Sequence, residues 1–507
     1  MLSRIKTCVL YGLDGYEVDV ETDLSGGLPN FNIVGLPDAS IKESKERVRA
    51  AIKNSGFDFP VSRITVNLAP ANLKKEGSQI DLPIAVGILA ASRIIKNVDD
   101  KTFVIGELSL DGRITAIEGA LPMVISMRNK EFKRAVVPEE NKEECGVIEG
   151  IEIIPVGSLD RLVEYFNGNM SIEPYKSHYD LSYEQDEYLE DFSEIKGQAA
   201  MKRAVEVAAA GMHNILLMGS PGSGKTMIAK RIPTILPDLT YEESLEVTKL
   251  YSISGLLNKK GLISKRPFRS PHHTSSRTSM AGGGSNPRPG EVSLSHYGVL
   301  FLDEILEFPK NVIEVLRQPM EDGKITISRA SGSFTFPAKF MLVAAMNPCP
   351  CGYLGDPNHE CSCSQSQIDK YLGKISGPLL NRIDIQIEVL PVKYDDLKDE
   401  GEEETSSQIK KRIIMARKIQ LERYKDMGIY TNSELSAKGI GKFCKINKES
   451  ELLLKNAFEV LGLSVRAYNK ILKVSRTIAD LENSENIETK HLAEAIRYRS
   501  LDRKYWR

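Results

Sequence analysis

The sequence has no apolar run of the roughly 18 residues that a membrane-spanning helix needs, and its longest apolar stretch, around residues 84–91, has the length of a core element. Residues 1–15 lack the apolar segment and small-residue cleavage site of a secretory signal. We therefore expect a cytoplasmic protein that does not associate with membranes.

Cysteine is scarce, and its odd count of seven excludes a disulfide-rich scaffold and fits a reducing compartment. Neither sign of charge dominates, because 67 Lys and Arg nearly balance 69 Asp and Glu and leave a formal charge of −2. This balance neither supports nor excludes a nucleic-acid partner, which needs only a local basic surface. Apolar residues at 41% and charged residues at 27% are ordinary for a globular protein of about three domains.

The apolar pattern predicts an α/β chain with several parts. Residues 1–165 contain β-branched runs that predict strands, such as 134–140, and periodic runs that predict helices, such as 40–56. Residues 166–191 are polar and acidic, which is typical of a linker. A second α/β block covers 192–395. Residues 396–507 begin with an acidic connection and then show apolar residues at three- and four-residue spacing, which predicts helices throughout.

The strongest functional signal is a glycine-rich loop that follows the apolar strand 215–218 and precedes a helix-compatible run. It matches the pattern G-x-x-x-x-G-K-[ST]. Such a loop turns backbone N–H groups inward around phosphates, and the N-terminus of the next helix adds a positive dipole. We therefore predict a nucleotide site in which Lys225 reaches the β- and γ-phosphates and Thr226 binds Mg²⁺. The predicted loop residues are Gly219, Ser220, Pro221, Gly222, Ser223, Gly224, Lys225 and Thr226.

The sequence GVLFLDEI at 298–305 supplies a partner strand for this loop. Its apolar run ends in two acids, which predicts Asp303 as a second Mg²⁺ ligand and Glu304 as the general base that polarises the attacking water. Two acids after a strand are common. Their position about 80 residues after the phosphate loop is what makes the motif informative.

Two further polar residues lie beside predicted buried strands. Asn347 ends the run 340–347 and carries an amide that can orient a water molecule. Arg382 lies between apolar runs, in a position suited to meeting the γ-phosphate bound by a neighbouring subunit. Taken alone, either pattern indicates an ordinary surface residue.

The order of the motifs GSPGSGKT, FLDEI, AAMN and LLNRID resembles that of an AAA+ ATPase of the magnesium-chelatase-like branch. The run 266–330 and the segment LSVRAYNKILKVSRTIADL are similar specifically to the ComM/YifB family, and the likeness spans essentially the whole chain. Leu306 departs from the family, where a proline is expected, but it touches none of the predicted chemistry. The resemblance implies that Asn347 is the sensor-1 residue, Arg382 an arginine finger, and Arg466, on a helical C-terminal lid, the sensor-2 arginine.

An arginine finger needs a neighbouring subunit, so the resemblance also implies a homo-hexameric ring that uses ATP and Mg²⁺. What is known of the family implies a DNA motor, namely a helicase that promotes branch migration during recombination and natural transformation on single-stranded or branched DNA. A chelatase-type ATPase that remodels a protein and an ATP-dependent Lon-like protease are the alternatives.

The segment that precedes Asp303 is basic and has no carboxylate before Glu291. From the sequence, a solvated structural loop and a surface that contacts DNA phosphates explain it equally well. In related AAA+ motors, inserts here and the hairpin around 328–336 point into a central pore. Phe334 and Phe336 could stack on bases there, although packing within the hairpin explains them better. The basic residues are Lys265, Arg266, Arg269, His272, His273, Arg277 and Arg288.

Four of the seven cysteines fall within one short segment, as two C-x-C pairs: Cys349, Cys351, Cys361 and Cys363. They could supply a tetrahedral Cys₄ site for structural Zn²⁺, although C-x-C is tighter than the usual spacing and His359 is an alternative fourth ligand. The other interpretation is four reduced thiols in a polar loop. Since a loop of Gly, Asp, Asn and Pro has no core of its own, a metal would stabilise it.

Residues 1–165 resemble the Lon-protease-like fold, at KKEGSQIDLPIAVGILAAS and RAVVPEENKEE. Lon chemistry needs a serine nucleophile that a lysine activates. Without gaps, the serine position falls on Gln79, one residue beyond Ser78, and the lysine position falls near Leu121 and Pro122. We therefore expect a non-proteolytic module that serves ring assembly or DNA contact.

Overall fold

A computed structural model describes residues 1–96, 98–177, 190–257, 261–284, 287–329, 332–392 and 403–506. Residues 178–189 of the predicted acidic linker at 166–191, and most of the acidic connection at 395–404, therefore lie outside the described residues. In the part of the chain that is described, no helix is both long and apolar enough to cross a bilayer.

The strands are β1 (Leu2–Tyr11), β2 (Asp14–Ser25), β3 (Asn30–Val34), β4 (Arg63–Ala69), β5 (Thr102–Val104), β6 (Glu107–Leu108), β7 (Ile114–Thr115), β8 (Arg134–Pro138), β9 (Glu152–Val156), β10 (Ile215–Met218), β11 (Phe268–Arg269), β12 (Gly282–Gly283), β13 (Arg288–Pro289), β14 (Val299–Leu302), β15 (Lys324–Arg329), β16 (Gly332–Pro337), β17 (Met341–Met346) and β18 (Ile385–Glu388).

The α-helices are α1 (Ala39–Asn54), α2 (Asp81–Ala91), α3 (Ala120–Asn129), α4 (Lys142–Cys145), α5 (Leu159–Phe166), α6 (Ala199–Gly211), α7 (Lys225–Ile235), α8 (Tyr241–Ile253), α9 (Arg277–Ala281), α10 (Glu291–Leu294), α11 (Lys310–Ile313), α12 (Pro319–Asp322), α13 (Gln365–Leu372), α14 (Gly377–Leu380), α15 (Ser406–Tyr424), α16 (Ala437–Phe443), α17 (Lys448–Leu461), α18 (Val465–Leu481), α19 (Thr489–Arg497) and α20 (Ser500–Tyr505).

The chain forms two compact units. The first contains the described residues up to 177 together with those of Tyr241–Ser264, and the second contains the rest. The sequence predicted 192–395 as one block, whereas the structure places α8 with the first unit. In that unit the Tyr241 hydroxyl donates to the Val147 carbonyl, 2.8 Å away, and the Ser252 hydroxyl donates to Glu144.

The first unit is built on a seven-stranded mixed sheet in the order β3-β4-β2-β1-β5-β8-β9. Strands β1, β2 and β4 pair antiparallel, and the outer pairs are parallel. Helix α2 is apolar on all sides and almost wholly buried, since it packs in the core of the unit. Asp38 caps the N-terminus of helix α1, since its carboxylate accepts from the Ile41 N–H at 2.8 Å.

The second unit contains a five-stranded sheet in the order β11-β14-β17-β10-β18, in which every pair is parallel. Strands β10, β14 and β17 are buried along their whole length, as expected for a parallel sheet covered on both faces. The predicted parallel sheet is confirmed. The carboxyl ends of its strands meet at one edge, which is where ligands bind in such sheets.

The C-terminal region, α15 to α20, is helical, as predicted. Its apolar faces join α6 and α7 in one core. Buried polar contacts fix these helices: Arg423 and Arg476 share the carboxylate of Asp480, and Lys470 pairs with Asp384 beside the sheet. The fold is therefore α/β with an all-helical C-terminal region.

Candidate functional site

The glycine-rich loop joins the end of β10 to the start of α7. Gly222 and Gly224 have φ angles of 78° and 89°, in the left-handed region that glycine adopts without strain. At Gly219, an added Cβ would lie 2.3 Å from the Val389 carbonyl oxygen. The backbone conformation thus favours glycine at two positions, and at the third there is no room for a side chain. The turn leaves the N-terminus of α7 facing the loop.

Lys225 is the first residue of α7, and its ammonium group is buried against the carbonyl oxygens of the loop. Its Nζ donates to the carbonyls of Gly219 at 2.8 Å and Ser220 at 2.9 Å, and to Asn347 Oδ1 at 3.2 Å. Burial lowers the pKa of Lys225, although nearby Asp303 opposes that shift. The structure therefore brings the predicted phosphate-binding lysine and the predicted sensor amide into contact.

The Mg²⁺ ligands predicted from the sequence also lie together. The Thr226 hydroxyl donates to Asp303 Oδ2 at 2.6 Å, although 77 residues separate them in the chain. A hydroxyl and a carboxylate oxygen are the hard ligands that Mg²⁺ prefers, so the pair fits this ion.

Glu304 is exposed and has a left-handed backbone, with φ 49° and ψ 49°. This conformation costs a non-glycine residue of order 1 kcal/mol and is enriched at active sites. Its backbone N–H donates to Asp303 Oδ1 at 3.0 Å. The strained turn directs the two adjacent acids differently, with Asp303 bonded to Thr226 and Glu304 exposed to solvent.

The two predicted arginines have different surroundings. Arg382 is 15% exposed, and its guanidinium pairs with Glu321 and donates to the Pro378 carbonyl at 2.8 Å. A finger role in a neighbouring subunit would require this guanidinium to leave Glu321. Arg466 is exposed in the first turn of α18.

The four clustered cysteines converge, with all four sulfur atoms within 4.8 Å of one another. The Cys349 Sγ lies 3.3 Å from that of Cys351 and 3.7 Å from that of Cys361. A backbone N–H of Tyr353 donates to the Cys351 sulfur and lowers the pKa of that thiol to about 6. The site includes no His359 ligand: this side chain stacks on Tyr353, with ring centroids 4.8 Å apart.

The basic segment divides into internal and exposed residues. Arg266 is buried and donates to the carbonyls of Pro237 and Tyr297, and Arg269 pairs with Glu291 at 2.6 Å. These two arginines therefore have structural roles. For them, the structure favours the structural-loop interpretation over a surface that contacts DNA. Arg277 and Arg288 are exposed.

Two hairpins lie side by side near this segment. The Arg329 guanidinium of β15 donates to the Gly284 carbonyl at 3.4 Å, and an added Cβ on Gly282 would lie 3.1 Å from Ile327 Cδ1. Phe334 and Phe336 are buried, as the packing interpretation predicted. The opposite face of the β15–β16 hairpin is polar and exposed.

The Lon-like region holds no contact between Ser78 and a lysine among the residues described. The Ser78 hydroxyl donates to Glu107, and the ammonium group of buried Lys75 donates to the Pro70 carbonyl. Leu121 and Pro122, at the expected lysine position, are buried in α3.

Sequence reasoning missed two residues that hold the phosphate loop. The Gln198 amide donates to the Ser223 carbonyl at 2.9 Å, and the Asp356 carboxylate accepts from the Ser220 hydroxyl. Neither belongs to a motif, because each reaches the loop from a distant part of the chain. The dipeptide Gly197–Gln198, just before α6, is the sequence signal for the first.

Comparison with protein families gives three matches, and all three families are described by the same subunit of magnesium chelatase. The family described as "Magnesium chelatase, subunit ChlI" matches residues 191–397, "Subunit ChlI of Mg-chelatase" matches 20–141, and "Magnesium chelatase, subunit ChlI C-terminal" matches 403–499.

Whole-chain relatives are also found. The chain is 41% identical to the YifB protein of Escherichia coli, over 99% of this chain and 98% of the relative. It is 42% identical to the competence protein ComM of Haemophilus influenzae, over 97% and 96%. Lon protease 2 of Bacillus subtilis is 26% identical over 183 residues, a third of each chain, and the predicted Lon-like character of the N-terminal region is thereby confirmed.

Proposed function

Because the chain belongs to the ComM/YifB family of magnesium-chelatase-like proteins, we propose that it is an ATP-hydrolysing motor that acts on DNA. The observation that carries the proposal is the assembled phosphate loop, in which Lys225, Asn347 and the Thr226–Asp303 pair meet at one edge of a parallel sheet. The finer proposal is a cytoplasmic homo-hexameric helicase that promotes branch migration during recombination, in keeping with the name of the competence relative.

Each residue of the site has a role in this proposal. The loop N–H groups and Lys225 would bind the phosphates of ATP, and Thr226 and Asp303 would hold Mg²⁺, which neutralises phosphate charge when bound. Glu304, exposed next to this pair, would accept the proton of the attacking water, and Asn347 would orient that water. Arg382 would act on the neighbouring subunit's nucleotide, and Arg466 would act from the lid.

The two adjacent hairpins are the proposed DNA contact. Arg288 and Arg329 are exposed near the polar face of β15 and β16, which can contact phosphates without reading sequence. Replacing both with alanine should weaken DNA binding and lower the slope of log affinity against log salt by about one per lost phosphate contact. Arg63→Ala, an exposed arginine of the first unit, is the control and should leave the slope unchanged.

The test of the motor is ATP-dependent displacement of a labelled strand from a forked and from a three-stranded DNA junction. We expect displacement by the wild type and none by Lys225→Ala. ATP hydrolysis that no DNA stimulates, without displacement, would instead indicate that the motor remodels a protein. Proteolysis is disfavoured because Ser78 bonds Glu107.

The cysteine cluster is proposed to bind one structural Zn²⁺. Thiolates that ligate zinc at about 2.3 Å in a tetrahedron lie about 3.8 Å apart. Three of the sulfur pairs lie 3.3, 3.6 and 3.7 Å apart in the structure, so small shifts would give this spacing. Metal analysis of the purified protein tests this directly. We expect one zinc per chain, and less than about 0.2 would end the idea.

A further inference from the structure

The four-cysteine loop touches the phosphate loop at two points. Gly352, between the cysteine pairs, packs so closely that an added Cβ would lie 2.6 Å from Pro221 Cδ. Asp356, farther along, accepts the hydroxyl hydrogen bond of Ser220. Ser220 and Pro221 are consecutive residues of the phosphate loop, so the two contacts hold the same short stretch of backbone.

The cysteine loop has few apolar side chains of its own to fix its shape. Residues 357–360 are exposed, and Leu354 packs beside the cysteines against the core of the second unit. Its first cysteine, Cys349, is buried in the core of the second unit, two residues after Asn347 at the end of strand β17. The other three cysteines are partly buried against the same core.

The sulfur cluster therefore contributes to fixing where Gly352 and Asp356 lie, since both belong to the loop that it closes. Several backbone N–H groups donate to them: Gly352 and Leu354 to Cys349, and Ser362 to Cys351. Such N–H···S bonds orient thiolate ligands around a metal. With a metal bound, four bonds to one ion would hold the sulfur atoms and the loop between them together. Without it, weak S–H···S contacts among the thiols would be left to close the loop.

We propose that the Zn²⁺ of this cluster clamps the phosphate loop through Gly352 and Asp356, so that occupancy of the metal site sets the affinity for nucleotide. This inference rests on the proposed nucleotide and zinc binding and adds their coupling. Loss of zinc by chelation would release Ser220 and Pro221 and lower the affinity for ATP. The cluster would thus make nucleotide binding dependent on the metal.

The experiment uses the full-length chain, with zinc measured by mass spectrometry and affinity measured by titration with a fluorescent ATP analogue. Removal of zinc from the wild type by a chelator should lower the affinity for the analogue about tenfold, which is the effect of one charge-assisted hydrogen bond. Added Zn²⁺ should restore the affinity. Far-ultraviolet circular dichroism and the fluorescence of Trp506, the only tryptophan, report whether the chain stays folded.

Two variants separate the metal from the contact. The double variant Cys361→Ser and Cys363→Ser should lose both zinc and affinity, whereas Cys145→Ala, a buried thiol of the first unit, should keep both. Asp356→Ala should keep zinc and still lose affinity severalfold. Its control is Asp369→Ala, which removes an exposed acid of α13.

The outcomes distinguish the inference from its premises. Zinc-loaded protein that binds no analogue would overturn both the nucleotide site and the coupling. Zinc-loaded protein that binds the analogue equally well before and after chelation would overturn the coupling alone. A chain purified without zinc would overturn the clamp and leave the nucleotide site standing. If the double cysteine variant fails to fold, chelation of the wild type decides between these outcomes.

Discussion

The two units of this chain are both α/β, yet among the described residues only the second brings its predicted site residues into contact. In the second unit, Lys225 contacts Asn347, and Thr226 contacts Asp303, at the carboxyl edge of a parallel sheet. In the first unit, the place where a Lon protease would keep its serine and lysine holds Gln79 and the buried Leu121.

In the first unit, the side chains near the Lon serine position make structural contacts. The carboxylate of Asp81, at the start of α2, is fully buried, accepts from the Ser44 hydroxyl and pairs with Arg47 at 2.7 Å. A nearby serine, Ser78, is bonded to Glu107. The comparison teaches that likeness to a fold does not imply its chemistry, and that function must be argued from side chains rather than from the fold.

The largest expected effect comes from matched variants in the two units. Lys225→Ala should abolish nucleotide binding and ATP hydrolysis, because it removes the only loop cation that faces the phosphates. Ser78→Ala should leave hydrolysis unchanged, since this hydroxyl only bonds Glu107. Titration with a fluorescent ATP analogue and a phosphate-release assay measure both. If the wild type cleaves casein in an ATP-dependent way and Ser78→Ala does not, the protease hypothesis is revived and the two units no longer differ in this respect.

A second variant separates binding from chemistry within the second unit. Glu304→Gln should bind ATP as tightly as the wild type and hydrolyse it about 100-fold more slowly or worse, because Asp303 and Thr226 still hold Mg²⁺ while the general base is lost. Glu307→Gln, an exposed acid three residues on, is the control. Wild-type turnover by Glu304→Gln would refute the assignment of the base.

Local sequence patterns predicted much of this site. The phosphate loop, its strand and Asp303 are close in sequence or follow a strand, so their place at the sheet edge follows from parallel topology. The burial of Phe334 and Phe336 was also predicted, because alternation along a hairpin places them on one face.

Contacts across long stretches of chain were not predictable in this way. The partner of Arg382 is Glu321, and those of Arg266 are backbone carbonyls of Pro237 and Tyr297. Nothing in the local pattern distinguishes an internal arginine from an exposed one. The left-handed turn at Glu304 likewise follows from the packing around it, since glutamate has no intrinsic preference for that conformation.

Acid should affect the two units in opposite directions. Burial lowers the pKa of His213, in the second unit, to about 4, although Asp384 opposes the shift. Its folded-state pKa is below the unfolded value, so stability is lost as the pH falls below about 6.5, by about 2 kcal/mol between pH 7 and pH 5. In the first unit, burial raises the pKa of Glu144, so protonation favours the folded state there.

Urea unfolding followed by Trp506 fluorescence reports on the second unit, and hydrogen exchange of α3 reports on the first. Between pH 7 and pH 5 the Trp506 midpoint should fall, and His213→Gln should flatten that dependence. If the Trp506 midpoint of His213→Gln falls with pH as steeply as that of the wild type, other groups cause the acid sensitivity.

The smallest expected effect is a matched pair of helix caps. Asp38 accepts from the Ile41 N–H at the start of α1, and Asn447 accepts from the Ser450 N–H at the start of α17, each at 2.8 Å. Replacing either with alanine should cost about 1 kcal/mol. If the units unfold separately, Asn447→Ala should lower the Trp506 midpoint while Asp38→Ala should change only hydrogen exchange in α1. Equal shifts of the Trp506 midpoint by both variants would show that the chain unfolds as one cooperative body, and stability could then no longer be compared unit by unit.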